Sequence, residues 1–493
     1  MKSACVTHIE EGSTKFICST PQTTIAKIGE RKEMNKKILV SIIMLSMLAL
    51  IAFPSVTRST TTQPNLKYTV SPAKEQFVEA ADFSLGSAVG TYLPWDVDII
   101  NAESTNGGEG IYVAVIDTGL VSNWANFVAP TAIIETALGK GWSYNVVWNP
   151  VINDFDWTPD PARGFITNNV GSGHGTHVTC EIVGYQRSTI GVAPHTVQGV
   201  APNVHIIPIL GLDYWLVNCP NPTYPGCHAG KVMFGGGDDW MLCSAIDYVA
   251  SLAETNGWKI ICTNSWGSYE PSPAIRASVD NAITKGVIFT FAAGNGYTQM
   301  DWPGAYPEVI SCAAGGWTLQ MIGTGTPDIG GRWYLTDVPE KLNTKDVLGN
   351  NWQIFLEDFS GRPDKALGQT WKDLDVCAPG AYVVGPYKPN AAWNGAAWVN
   401  IGAPTAYYGL WGTSMATPHV AGVAAIIAHD YPQFNQADME YVLKKAATRI
   451  PMASDGAIVY DTSLWAFKWV DHDYGNGWLT VDNAYLAAAG YHK

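Results

Sequence analysis

Three side chains in this chain have the types and settings that acyl transfer needs. Asp117 ends the apolar run Ile111-Tyr112-Val113-Ala114-Val115-Ile116 and is followed by Thr118-Gly119. His174 lies in Gly173-His174-Gly175-Thr176-His177, and Ser414 in Gly412-Thr413-Ser414-Met415-Ala416-Thr417-Pro418-His419. Each stands beside glycine at the end of an element. In such a set the imidazole takes the hydroxyl proton and returns it to the leaving group. The carboxylate fixes the imidazole tautomer and stabilises the imidazolium. A fourth group, Asn295, sits between Gly294 and Gly296 after the run Phe289–Ala293. Alone it is a turn residue; beside a serine nucleophile its amide N–H₂ can face a developing oxyanion. Ser414 precedes the small, apolar stretch Val420–Ala428, which predicts a helix buried on most sides. The expected geometry makes Ser414 the N-cap and puts Pro418 in the first turn. On its own this is a capped core helix. With Asp117 and His174 it becomes a hydroxyl at the positive end of a helix dipole.

Chain order separates the families that use this set. The order here is Asp, His, Ser; α/β-hydrolases run Ser, Asp, His around G-x-S-x-G, and Gly412–Ala416 lacks the second glycine. The blocks Asp117-Thr118-Gly119, His174-Gly175-Thr176-His177 and Gly412–Gly422 resemble those of the subtilisin family (subtilases), from about Leu93 to Ala489. Asp-Thr-Gly also occurs in aspartic peptidases, but those need two copies and no second Asp-Thr/Ser-Gly is present. The resemblance implies a serine endopeptidase acting on proteins or peptides, with no cofactor in the chemistry. It implies that Asn295 and the Ser414 backbone N–H form the oxyanion hole, and that Ser265, Trp266, Gly267, Ala293 and Gly294 line the substrate cleft. Gly199–Pro202, Trp302–Pro307 and Asp375–Gly380 resemble family scaffold segments. Two departures stand out: only about thirty residues separate the signal-like segment from the core, and the segment after Asn295 is short. No specificity carries over; Trp266 in the cleft wall favours apolar or aromatic substrate side chains.

The elements that must position these residues are legible as alternation. Apolar runs at Ile111–Asp117, Val204–Leu210, Lys259–Thr263, Gly286–Ala293 and Val309–Ala314 read as buried strands. Between them, Asp238–Glu254 and Pro271–Lys285 keep apolar residues on one helical face, and residues 435–447 form a further helix capped by Asn435 with Asp438 at N3. The fold class is α/β: a doubly wound, mostly parallel sheet flanked by helices. Strand ends such as Asp117 and Asn295 then meet at one edge of the sheet, where such folds bind ligands. Asp154, Asp156 and Asp160 fall in a Pro-bearing stretch expected to be a loop. They are weak candidates for structural calcium, against the simpler reading of a solvated acidic loop. His177 is expected to be a hydrogen-bonded structural residue, since no H-E-x-x-H zinc pattern surrounds it. Cys219 and Cys227 bracket a short Pro-rich loop that a disulfide would suit, while Cys262, Cys312 and Cys377 sit in apolar runs as buried thiols.

The totals agree with a large packed enzyme. The chain has 493 residues, 47% hydrophobic and only 15% charged, with net charge −14. An acidic surface without basic runs excludes nucleic acid as a partner. Met34-Asn35-Lys36-Lys37 before the apolar run Ile38–Phe53 matches a secretory signal or a retained anchor. The expected layout is residues 1–33 as an upstream extension, 34–59 as signal or anchor, and 60–92 as linker or short propeptide remnant. The peptidase domain follows over 93–489, with an insertion near 317–358. The expected site of action is outside the cytoplasm, secreted or at the cell surface, with membrane contact only through the N-terminal segment. Two rivals remain: a catalytically silent protein of the same fold that binds peptides or glycans, and a metal-dependent hydrolase using the His174/His177 pair.

Overall fold

The computed structural model describes residues 63–70, 72–77, 91–187, 195–317, 354–450, 457–460 and 465–492, with backbone alone for 457–460 and 465–468. The extension 1–33, the segment 34–59, Cys5, Cys18 and most of the insertion near 317–358 lie outside them.

The apolar runs form strands of one mixed, mostly parallel sheet. Its central members are β2 (Tyr112–Asp117), β5 (His205–Leu210), β6 (Ile260–Asn264), β7 (Ile288–Ala292) and β8 (Ile310–Trp317), with β10 (Val376–Pro379) parallel to β8. The order across the sheet is β5-β2-β6-β7-β8, every neighbour parallel, and β9 (Ile354–Leu356) closes the far edge antiparallel to β8. The chain leaves β2 for β5 on one side and returns to β6 on the other. The winding direction therefore reverses around β2, and the crevice opens at its C-terminal end, where Asp117 sits.

Helices cover this sheet. Helix α2 (Asp239–Asn256) is capped by the Asp238 side chain on the Met241 N–H, and α3 (Pro273–Thr284) by Ser272 on the Ile275 N–H, with Pro273 at its first position. These two pack on each other, with α2 against β2 and β6 and α3 against β7. Helix α4 (Thr413–Asp430) packs with α1 (His174–Val183) and against β6, β7 and β8. Residues Thr413 to Ala428 are all buried, as expected of so small and apolar a stretch. Helix α5 (Gln436–Ala446) begins with the capping box of Asn435 and Asp438.

Three local expectations give way. The segment around Asp154–Asp160 is not a loop but β4 (Asp154–Asp160), paired antiparallel with β3 (Ser143–Asn149) over seven positions. Its alternate residues Phe155 and Trp157 drive the hairpin by packing into an aromatic cluster with Tyr144, Trp215 and Phe234. The carboxylates are used separately. Asp154 accepts from the Phe155 N–H and Tyr224 hydroxyl, Asp156 from the Asn149 amide, and Asp160 from the Ala162 N–H. Among the described residues no three His, Cys, Asp or Glu side chains gather to hold a metal. Cys219 and Cys227 are free thiols; Cys227 Sγ turns onto the Cys219 carbonyl at 3.2 Å instead of joining its sulfur. Finally, ordered structure does not wait for Leu93. Tyr68 and Val70 are buried in the main core, and β1 (Lys74–Phe77) pairs antiparallel with β12 (Ala406–Trp411).

Candidate active site

The end of β2 and the start of α1 meet at the crevice. The Asp117 carboxylate faces the His174 ring, with Nδ1 2.9 Å from both Oδ1 and Oδ2. Both side chains are fully buried. Asp117 Oδ1 also accepts from the Thr118 N–H at 2.7 Å, which fixes its plane. His174 is the first residue of α1; its N–H donates to Ser172 Oγ, and Thr118 Oγ1 accepts from the Gly175 N–H while donating to the Ser172 carbonyl. The closeness depends on Gly175: a methyl there would lie 2.5 Å from the Gly119 carbonyl oxygen and 3.1 Å from Asp117 Cβ. His174 Nε2, the nitrogen turned from the carboxylate, is buried without a hydrogen-bond partner.

The third side chain sits two positions further into its helix than expected. Helix α4 begins at Thr413 with Gly412 as its N-cap, so Ser414 is the second helical residue and not the cap. The sixth is Pro418, past the first turn. Having no N–H, Pro418 cannot serve the Ser414 carbonyl, its acceptor in a regular helix. Ser265 fills that gap, donating Oγ–H to the Ser414 carbonyl at 2.7 Å. In return the Ser414 hydroxyl donates to the Ser265 carbonyl at 3.1 Å. This holds Ser414 beside the 265–267 edge while His174 Nε2 stays unpartnered. Hydroxyl–imidazole contacts of this kind often form only once substrate is bound.

Asn295 is clamped by Thr413. The Thr413 backbone N–H donates to Asn295 Oδ1 at 2.9 Å and the Thr413 hydroxyl at 3.0 Å. A backbone N–H can only donate, so the accepting atom is the oxygen and the amide nitrogen points the other way. Asn295 Nδ2 and Ser414 N both lie 3.5 Å from the place a Cβ on Gly412 would occupy. The Ser414 N–H is one of the first-turn donors with no acceptor in its own helix. Two donors thus lie on the same side of Gly412, next to the Ser414 backbone. Thr413, the residue that orients them, drew no notice in the sequence, because its role depends on the helix starting at that residue.

The residues expected to line the cleft fall on two backbone edges, Ser265–Ser268 and Ala293–Asn295. Trp266 does not face the opening; it is 1% exposed, with its ring edge-on to Tyr68 at 5.4 Å and Phe291 at 5.2 Å. Between the walls lies Asp301, also unnoticed in the sequence. Its N–H donates to the Ala293 carbonyl, and its neighbour Trp302 exchanges both backbone hydrogen bonds with Ser268. Burial pushes the Asp301 carboxyl up to about 7.

Against the first of these edges lies the chain's own N-terminal segment. Tyr68 exchanges backbone hydrogen bonds with Gly237, and Thr69 with Gly267, both antiparallel. Five residues on, the Ala73 N–H donates to the Trp411 carbonyl at 2.6 Å, and β1 continues along β12. Gly267 is two residues from Ser265, whose carbonyl meets Ser414, and Trp411 is three residues before Ser414. The described parts of the segment therefore pair with two stretches close in the chain to Ser414 and to its partner Ser265. Tyr68 anchors it, with its hydroxyl on Asp239 Oδ1 at 2.9 Å.

His177 and His419 form a buried network with Glu181 and Asp96. His177 Nδ1 meets Glu181 Oε1 at 2.7 Å, which gives His177 the structural place expected of it. His419 has acceptors at both nitrogens, the Met415 carbonyl at 2.7 Å and Asp96 Oδ2 at 3.1 Å, with Glu181 Oε2 at 3.4 Å. Burial alone would lower its pKa; the carboxylates of Asp96 and Glu181 outweigh that and raise it to about 10, so His419 is an imidazolium.

The subtilase family model matches residues 108–477, three quarters of the chain. The chain is 25% identical over 363 residues to subtilisin BL of Lederbergia lenta, covering 73% of this chain and 92% of that protein. It is 23% identical over 367 residues to subtilisin DY of Bacillus licheniformis, with the same coverage. A solved structure titled S41 psychrophilic protease aligns over 80% of this chain and all of that one, at 22% identity and a TM-score of 0.48. The chain belongs to the subtilase family and is a serine-type endopeptidase.

Proposed function

We propose that the protein is a secreted endopeptidase that cleaves protein substrates through an acyl-enzyme on Ser414. In this reading His174 Nε2 receives the Ser414 proton as Oγ attacks the scissile carbonyl, and Asp117 holds the Nδ1–H and stabilises the imidazolium. The oxyanion of the tetrahedral intermediate faces Asn295 Nδ2 and the Ser414 N–H, at the positive end of α4. His174 then gives its proton to the leaving amine, and water repeats the sequence to release the acid. Ser265, Gly267 and the 293–294 edge hold the substrate backbone.

The observation that carries this reading is the segment from Tyr68 to Phe77. Thr69 pairs antiparallel with Gly267 and Lys74–Phe77 pairs antiparallel with β12, which supports a site that receives a polypeptide as an added antiparallel strand. Secretion is supported by the basic and apolar grammar of 34–53. No helix among the described residues is long and apolar enough to cross a membrane. No residue of the proposed reaction calls for a metal, and a structural calcium site stays a proposal without assigned ligands.

The test is covalent labelling of the full chain with a diphenyl phosphonate, with and without chelator, beside hydrolysis of denatured casein. Stoichiometric labelling at Ser414 with turnover is expected, and Ser414→Ala should abolish both while melting like the parent. The related enzyme subtilisin loses about 2 × 10⁶ in kcat without its serine, and we take that scale from it. An intact, unlabelled protein would instead be a silent binder, and activity lost at once on zinc removal without unfolding would indicate a metal-dependent hydrolase.

A further inference from the structure

We infer that Asp301 is the floor of the primary specificity pocket and selects a lysine or arginine as the residue on the acyl side of the scissile bond. The inference rests on the reading of Ser414 as nucleophile. It starts from a carboxylate that has no internal use. Asp301 Oδ1 is buried and without a hydrogen-bond partner, and no cation among the described residues pairs with Asp301. A buried acceptor left unpaired is costly and calls for an explanation.

Its position supplies one. The carboxyl fits between two glycines on opposite walls. A methyl on Gly294 would lie 2.5 Å from Asp301 Cγ, and one on Gly267 would lie 2.7 Å from its Cβ. Four backbone hydrogen bonds set the frame: Thr69 with Gly267 in both directions marks the substrate path, and Trp302 with Ser268 in both directions closes the wall below it. The Asp301 N–H on the Ala293 carbonyl ties the floor to the opposite wall, next to Asn295. A residue whose carbonyl meets Ser414 and the Asn295 amide has its side chain directed between these walls. A long cationic side chain directed between these walls would bring its charge to Asp301, whose side chain already fills the space beside Gly267 and Gly294. The pocket then supplies the partner that the fold withholds. A neutral side chain of the same length would leave the carboxylate buried and unpaired, which is where the discrimination arises. This displaces the expectation of apolar or aromatic preference, since Trp266 points away into the core.

The experiment uses the full chain and matched peptides that differ only in the residue before the cleaved bond: arginine, lysine, citrulline, norleucine and phenylalanine. The ratio of kcat/KM between two peptides does not depend on how often the N-terminal segment vacates the cleft. Arginine or lysine should be preferred over citrulline and norleucine by about 10²-fold or more, and benzamidine should inhibit competitively. Asp301→Asn should lose both the preference for basic over neutral peptides and the benzamidine inhibition. Equal or better cleavage of the neutral peptides by the parent protein overturns the inference even if the variant does not fold. So does a variant that keeps the basic preference. Phosphonate labelling of Ser414 is run first: labelling without a basic preference overturns this inference alone, whereas no labelling overturns the reading beneath it as well.

Discussion

Removing the Tyr68 side chain should open the cleft and raise the peptidase rate. Tyr68 is 1% exposed, packs edge-on against Trp266 and donates to Asp239. Truncating a buried aromatic side chain to alanine costs about 3–5 kcal/mol in a core. Asp239 is 42% exposed and keeps Ser272 Oγ as a second partner, so it re-solvates easily and the low end applies. About 3 kcal/mol shifts the closed-to-open ratio by about 10². Tyr68→Phe keeps the ring and loses only the hydroxyl, about 1 kcal/mol or a factor of about five. The rate of Ser414 labelling by phosphonate, which requires an open cleft, should rise in the order parent, Tyr68→Phe, Tyr68→Ala. The gain levels off once the open form predominates. A synthetic peptide of residues 63–77 should slow the Tyr68→Ala variant again. Labelling rates within twofold across the series, with unchanged melting, would refute the argument that this segment occupies the substrate's place.

Three further outcomes follow from the same geometry. Asn295→Leu should lower kcat by about 10² to 10³, on the scale known for the matching amide of subtilisin, with KM little changed; an unchanged kcat removes Asn295 from the oxyanion hole. Ser265→Ala strips the donor from the buried Ser414 carbonyl and should cost about 1–3 kcal/mol in thermal stability, part of which Pro418→Ala should restore by supplying the missing helical N–H. The pH profile of stability, measured on Ser414→Ala to avoid self-digestion, has a definite sign. His419 has a folded pKa of about 10, above its unfolded value, so its contribution is full below about pH 6.5 and is lost as pH rises towards 10. Glu357, pushed up to about 8 by burial, acts in the same direction because the folded state resists its ionisation. The melting temperature should therefore fall from pH 6.5 to 10, and His419→Gln should flatten that fall; a flat or rising profile in the parent contradicts the imidazolium assignment.

Legibility in the sequence followed how local each requirement was. Asp117 was readable because a carboxylate at the end of a continuous apolar run has few structural uses. The strands around it were readable because both faces of a parallel sheet are buried, which leaves unbroken hydrophobic runs. The cap at Asn435 was also readable, being decided within four residues; those at Asp238 and Ser272 came only with the structure. The start of α4 was misplaced by two positions because Gly412, Thr413 and Ser414 are all acceptable caps. The choice fell to Asn295, 118 residues away, which takes the Thr413 N–H. The Asp154–Asp160 stretch carries Pro and three aspartates, the signature of a loop. Yet Phe155 and Trp157 alternate along the strand and bury their rings in the aromatic cluster.

The residues that most change the functional picture are those whose meaning is wholly non-local. Residues 63–77 have the Pro, Thr and Lys content of a linker, and nothing within them announces burial. Tyr68 becomes an anchor only when Gly237, Asp239 and Trp266 are brought together by the sheet. Asp301 follows Met300 and precedes Trp302-Pro303, an unremarkable setting for a turn carboxylate. It acquires chemistry because two glycines, 34 residues before it and 7 before it, lack the side chains that would fill its place. The same absence that lets a substrate backbone lie flat on the Gly267 edge also admits the carboxylate beneath it. Specificity and backbone recognition are therefore coupled here. Replacing Gly267 with alanine should damage both at once, whereas Asp301→Asn should separate them.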